Sequence, residues 1–117
     1  MSKAELRRHP RFKPQPTAPV RVDVMGNGFL EVVHARDVSV SGLSIFVAHD
    51  FDGCDIDTEV DLILTFGKSR PFKARAKIRH RSRDGSKHFF GLQFVDLAEE
   101  HRAAIARYVS GCTKVLD

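Results

Sequence analysis

The sequence predicts an all-β domain: six short antiparallel strands closed into a barrel, behind a flexible N-terminal arm and ahead of one C-terminal helix. Three observations carry this. Apolar and polar residues alternate, the period of a half-buried strand, in successive segments from Val20 to Val95. Glycine-bearing turn signals separate those segments at hairpin spacing. Only after Leu97 does the apolar period lengthen to that of a helix. The 117 residues suit one domain, with an arm over 1–19, a barrel over 20–95 and a helix over 96–111.

Pro10, Pro14, Pro16 and Pro19 exclude a regular helix or a central strand from the arm, because each removes a backbone donor. Val20, Val22 and Val24 then share a face, Gly26-Asn27-Gly28 turns the chain, and Phe29–Ala35 completes a hairpin over 20–36. Residues 43–48, LSIFVA, are the third strand. A loop with Asp50, Asp52, Gly53 and Asp55 leads to a fourth strand around Val60, Leu62 and Leu64, closed by Gly67-Lys68. In FKARAKIRHRSR, Phe72, Ala74, Ala76 and Ile78 line one face, while Lys73, Arg75, Lys77, Arg79, Arg81 and Arg83 line the other. That predicts a strand with a wholly basic outer face. Asp84-Gly85-Ser86 turns into the returning strand HFFGLQFVDL, where Gly91 marks a bulge or a close backbone approach. Asp96 with Glu99 predicts an N-terminal capping box for the helix, whose apolar stripe is Leu97, His101, Ile105 and Tyr108/Val109. Gly111 is its stop.

Composition narrows the function. Hydrophobic residues make up 42% and charged residues 29%, which fits a globular protein rather than a disordered one. No apolar run is long enough to insert in a membrane, and the N-terminus lacks the apolar stretch of a secretion signal, so a cytoplasmic location is expected. Cys54 and Cys112 stand apart and form no metal or redox pair, and two reduced thiols are expected. The net charge of +4 conceals segregation. Residues 1–21 carry six cations against Glu5, residues 50–61 carry six acids and no cation, and residues 68–88 carry nine cations against Asp84.

No catalytic or metal-binding constellation is present in the sequence. The six histidines have no metal-ligand spacing, the acidic stretch lacks the order of an EF-hand loop, and no nucleophile or phosphate-loop motif occurs. The chain is therefore expected to be no enzyme and to need no cofactor.

Two short motifs do carry chemistry. Arg7-Arg8-His9-Pro10-Arg11 contains R-x-x-x-R. Its planar, permanently charged guanidiniums can fork onto phosphate, stack on a base, or donate to guanine O6 and N7. Asp37-Val38-Ser39-Val40-Ser41-Gly42 matches D-x-S-x-x-G. With Val38 and Val40 facing inward, Asp37, Ser39 and Ser41 turn outward together. An outward carboxylate can accept from the N1–H and N2–H₂ edge of guanine, and a serine hydroxyl both donates and accepts. Gly42 supplies close backbone approach or a positive φ.

Taken together, R-x-x-x-R, a hairpin, and D-x-S-x-x-G entering an apolar strand resemble the PilZ domain, over nearly the whole chain. The resemblance implies a six-stranded PilZ-type barrel that binds the bacterial second messenger cyclic di-GMP as ligand. It implies that Arg7 and Arg11 grip phosphates and guanine from a flexible segment, with Arg8 between them stacking or pairing. It implies that Asp37 and Ser39 read a guanine and its neighbouring phosphate, and that Gly42 keeps the surface open. Neither motif departs from the family pattern. The expected mechanism is a ligand-gated arm, mobile over residues 1–12 and clamped by the ligand, that signals to a downstream protein partner. The rival reading is a basic barrel binding nucleic acid or a protein independently of nucleotide. The basic strand favours it. The placement of most of the nine Phe at inward positions, not on a stacking platform, counts against it.

Overall fold

In the computed structural model, described here for residues 9–26, 28–47, 55–85 and 87–115, the chain is a closed antiparallel barrel with a helix across one end. The strands are β1 (Phe12–Lys13), β2 (Val20–Gly26), β3 (Phe29–Ser39), β4 (Gly42–Val47), β5 (Glu59–Phe66), β6 (Phe72–Asp84), β7 (Lys87–Val95) and β8 (Thr113–Lys114), with α1 (Glu99–Val109) between β7 and β8. Six of them form the ring β2-β5-β6-β7-β4-β3, which closes where β3 pairs again with β2. Closure removes the open sheet edges that invite aggregation.

Period-two alternation fills the barrel as expected. Val20, Val22, Val24, Leu62, Leu64, Ala76, Ile78, Ile45, Phe90 and Leu92 point inward, and all but a few per cent of each is buried. Helix α1 adds Ile105 and Val109, and Leu97 and Tyr108 pack beside them. His101 stacks on Phe72 at 4.2 Å between ring centroids, and Tyr108 meets Phe66 edge-on at 5.0 Å, so the helix covers the β5–β6 end. The hairpin turns match the sequence reading. Gly28, Gly67 and Gly85 all have positive φ, and Asp84 pairs with Lys87 across the Asp-Gly turn.

Four expectations need correction. Segment 9–19 is not a free arm: Phe12 pairs with Val38 of β3 and with Lys114 of β8. Prolines bracket this two-residue strand without falling in it, which reconciles pairing with their missing donors. Residues 1–8 of the expected arm, with Arg7 and Arg8, lie outside the described residues, as do most of the acidic loop and Cys54; Cys112 is a free thiol. Second, Asp96 is not the helix N-cap. It adopts φ +51 as the chain leaves β7, a conformation Asp tolerates, and Ala98 occupies the cap with no side-chain hydrogen bond. Third, the helix is not the last element: β8 follows Gly111, and its two residues are too few for any periodicity to announce it.

The fourth correction concerns the basic strand. A bulge at Arg79 interrupts β6 between Ile78 and His80. Paired residues share a face, so Arg81 opposite Phe90 and Arg83 opposite His88 lie on the face that holds the core lower down. The outer row is Lys73, Arg75 and Lys77, then His80 and Ser82. The segregated charges meet here as well. Arg75 lies 3.6 Å from Asp61 and 3.8 Å from Glu59, Arg79 pairs with Asp57, and Arg81 lies 3.4 Å from Asp55. The described acids of that stretch, Asp55, Asp57, Glu59 and Asp61, are thus counter-charges of the basic strand.

Besides its strand pairing, the N-terminal segment is held by the Tyr108 side chain. The Tyr108 hydroxyl donates to the carbonyl of Ala18 at 2.6 Å and accepts from the backbone N–H of Gln15 at 2.9 Å. Burial pushes its phenol above the ordinary 10.0. The raised value means the folded state holds the proton more tightly, so this contribution is complete below pH 10 and is lost as pH rises through the folded value. We expect Tyr108→Phe, which strands both backbone groups, to cost about 1–3 kcal/mol in urea unfolding at neutral pH. The difference from wild type should shrink above pH 10. Gly42→Ala should cost about 3 kcal/mol in the same measurement, because a Cβ there collides with the backbone carbonyl of Leu92.

Candidate functional site

The site begins with a length mismatch. β2 pairs with β3 only over Phe29–His34, yet β3 runs on to Ser39. The remaining residues pair with β4 on one edge, and Phe12 takes up the other edge at Val38. That pairing fixes the neighbouring Arg11 over β3. Its guanidinium lies 3.4 Å from the Asp37 carboxylate. The first residues of one motif and the last arginine of the other are therefore joined, although 26 positions separate them.

The alternation reading gave the direction of the second motif correctly. Val38, Leu43 and Leu92 are core residues at neighbouring ladder positions, so Asp37, Ser44 and Gly91 beside them face outward. It did not give the exposure. Asp37 is 7% and Ser39 5% accessible, and the Arg11 side chain lies against the first of them. Ser39 is further occupied by its own turn. Its hydroxyl accepts from the N–H groups of Ser41 and Gly42, both at 3.2 Å, and lies 3.0 Å from the Ser41 hydroxyl. The serine thus holds the β3–β4 turn in the shape that presents Asp37. Gly42 is required by close approach and not by a positive φ: β4 passes so near β7 that Leu92 leaves no room for a side chain.

These residues border a groove of about 570 Å³ that crosses β3, β4, β7 and β6. Such a volume lies within the range of small-ligand sites. Its floor is low where Gly91 pairs with Ser44 and Gly42 pairs with Gln93, each rung carrying one glycine. His9 and Arg11 form one wall, and Arg79 and Arg102 also line it. The Ser44 hydroxyl and His9 Nδ1 are buried and make no hydrogen bond among the described residues. Polar atoms so placed are paired in most folded proteins, and they are suited to a polar ligand here. The groove can hold a small anion-bearing molecule between guanidiniums, with a carboxylate to read a hydrogen-bond donor.

The structure brings together Arg11, Asp37, Ser39 and Gly42 of the expected site. The sequence reading missed Ser44, Gln93, Arg79 and Arg102. Gly91 was the available signal for the floor. Arg79 was hidden within an unbroken alternation that no periodicity argument would interrupt, and Arg102 stands three and seven residues before the buried Ile105 and Val109, beside a helix stripe read only for its apolar residues.

Comparison with known proteins follows the same outline. No curated protein matches the chain. Among solved structures, the Bacillus subtilis inhibitor of motility MotI/DgrA superposes with a TM-score of 0.73 at 16% identity, over 94% of this chain and 50% of that one. The PilZ domain of Escherichia coli YcgR with c-di-GMP superposes with a TM-score of 0.73 at 14% identity, over 89% of this chain and 88% of that one. The K. pneumonia MrkH–c-di-GMP complex gives a TM-score of 0.74 at 14% identity, over 86% and 48%. The chain thus spans about half the length of MotI/DgrA and of MrkH. At these identities the likeness is one of fold. A model of the PilZ domain matches residues 5–111, nearly the whole chain, and the chain belongs to the PilZ domain family.

Proposed function

We propose that the chain is a receptor, not an enzyme, that binds cyclic di-GMP in the groove over β3, β4 and β7. The observation that carries this reading is the Arg11–Asp37 pair at the groove wall. It puts a phosphate-binding fork and a guanine-reading carboxylate within one ligand's reach. A bare polyphosphate would be repelled by Asp37, whereas a guanine edge donates two hydrogen bonds to it. The family match and the c-di-GMP complexes of YcgR and MrkH support the same ligand. A messenger of this kind places the chain in the cytoplasm.

In this reading Arg7, Arg8 and Arg11 grip phosphate and base, Asp37 reads guanine, and Ser39 and Gly42 shape the turn beneath. The ligand exchanges part of the Arg11–Asp37 attraction for contacts from both groups to itself, so the ion pair pre-positions the two groups before binding. Relay to a protein partner runs through the segment that holds Arg11. β1 is continuous with Gln15 and Ala18, which Tyr108 ties to α1. Ordering the N-terminal residues on the ligand therefore alters the surface shared by the arm, β8 and the helix. The nucleic-acid alternative loses its main support, because the bulge at Arg79 breaks the basic face and turns Arg81 and Arg83 away from the row of Lys73, Arg75 and Lys77.

Isothermal titration with cyclic di-GMP tests the reading. At about 0.1 M salt, where exposed charges are screened beyond roughly 10 Å, wild type should bind with micromolar or tighter affinity. Arg11→Ala and Asp37→Ala should each weaken binding at least tenfold, with circular dichroism reporting an intact barrel. No heat from wild type would overturn the assignment.

A further inference from the structure

We infer that Arg79 is a further phosphate-binding residue of the groove, held by Asp57 until an anion takes the carboxylate's place. The inference rests on the cyclic di-GMP reading above and extends it to the opposite wall. Two bulges sit on the strands flanking the low β4–β7 floor: one in β3 between Ala35 and Asp37, the other in β6 between Ile78 and His80. Each adds an arginine, Arg36 or Arg79, near the rung where Ser44 pairs with Gly91. A bulge re-aims the side chain of its extra residue. Arg36 turns away, over the rings of Phe46 and Phe89 at about 5 Å. Arg79 lines the groove. β3 and β6 are three strand spacings apart, roughly 14 Å. Long side chains reaching in from Arg11 and Arg79 therefore bracket the floor, and a ligand with two phosphates can engage one on each side.

The present partner of Arg79 is easily exchanged. Both members of the Arg79–Asp57 pair are more than half exposed, at 52% and 64%, and exposed ion pairs contribute little. A forked guanidinium–phosphate contact is the stronger bond. Exchange leaves the loop in place, because the backbone fastens it separately. Asp57 N–H donates to the Ile78 carbonyl at 2.7 Å, and Ile78 N–H donates to the Thr58 carbonyl at 2.9 Å. The buried Ser44 hydroxyl lies on the floor between the two walls and supplies a donor. Asp57 thus acts as a competing intramolecular anion that weakens ligand binding without blocking it.

Titration of cyclic di-GMP into wild type, Arg11→Ala, Arg79→Ala, Arg79→Lys and Asp57→Asn decides the point. Arg79→Ala should weaken binding about tenfold, and Arg79→Lys should restore part of the loss, since it keeps the charge but not the fork. Asp57→Asn should tighten binding roughly two- to five-fold. Equal affinities for wild type, Arg79→Ala and Asp57→Asn, with binding lost in Arg11→Ala, would overturn this inference and leave the functional reading intact. If wild type gives no heat with cyclic di-GMP, the functional reading falls, and inorganic phosphate, small enough to sit at Arg79 away from Asp37, followed at the Arg79 Nε–H resonance decides the arginine. A saturating shift that occurs at lower concentration in Asp57→Asn supports the site, and an unmoved resonance overturns it.

Discussion

The hydrogen-bonding demand of one overhanging strand governs the rest of the structure. β3 outruns β2 by five residues, and a buried backbone cannot leave its N–H and C=O groups unpaired. Phe12 answers that demand at Val38, and the residue before it is Arg11. The position of the arginine over Asp37 therefore follows from main-chain pairing before any charge is considered. The ion pair then settles within a register already fixed. This order matters energetically, because a buried carboxylate and a partly buried guanidinium are costly to assemble unless the backbone has placed them.

The charge pattern follows a similar logic. The sequence separates its acids and bases into blocks, and the antiparallel pairing of β5 with β6 lays one block against the other. Each pair contributes little by itself. Their combined effect is to make the basic strand unremarkable over most of its length, so the cations that remain around the groove stand out electrostatically. The local charge at the groove then comes from a few arginines on its walls, not from the net charge.

Much of the fold was legible in the residues, for identifiable reasons. Val20, Leu62, Ile78 and Phe90 obey period two because each strand has one core face, and Ile105 and Val109 obey the helical period because α1 buries one stripe. Asp37 and Ser39 showed their direction for the same reason. What the pattern could not show is local or tertiary. The bulge at Arg79 leaves the alternation of residue types untouched while turning Arg81 and Arg83 to the other face. Asp96 has the composition of a cap but is consumed by the turn before it. The arginine against Asp37 comes from a segment whose prolines argued against a strand, and only the overhang of β3 explains why two residues pair there.

The antiparallel pairing of β1 with β8 has a consequence for how such a domain is joined to others. Phe12 lies opposite Lys114, so the incoming and outgoing backbone run side by side at one corner of the barrel. That corner borders the wall formed by His9 and Arg11. Any neighbour attached before or after the barrel is therefore tethered through the same small hinge, next to the ligand groove. A rearrangement there would swing an attached domain directly, with no signal crossing the rigid core. Unrelated neighbours at either end would therefore share the same point of attachment.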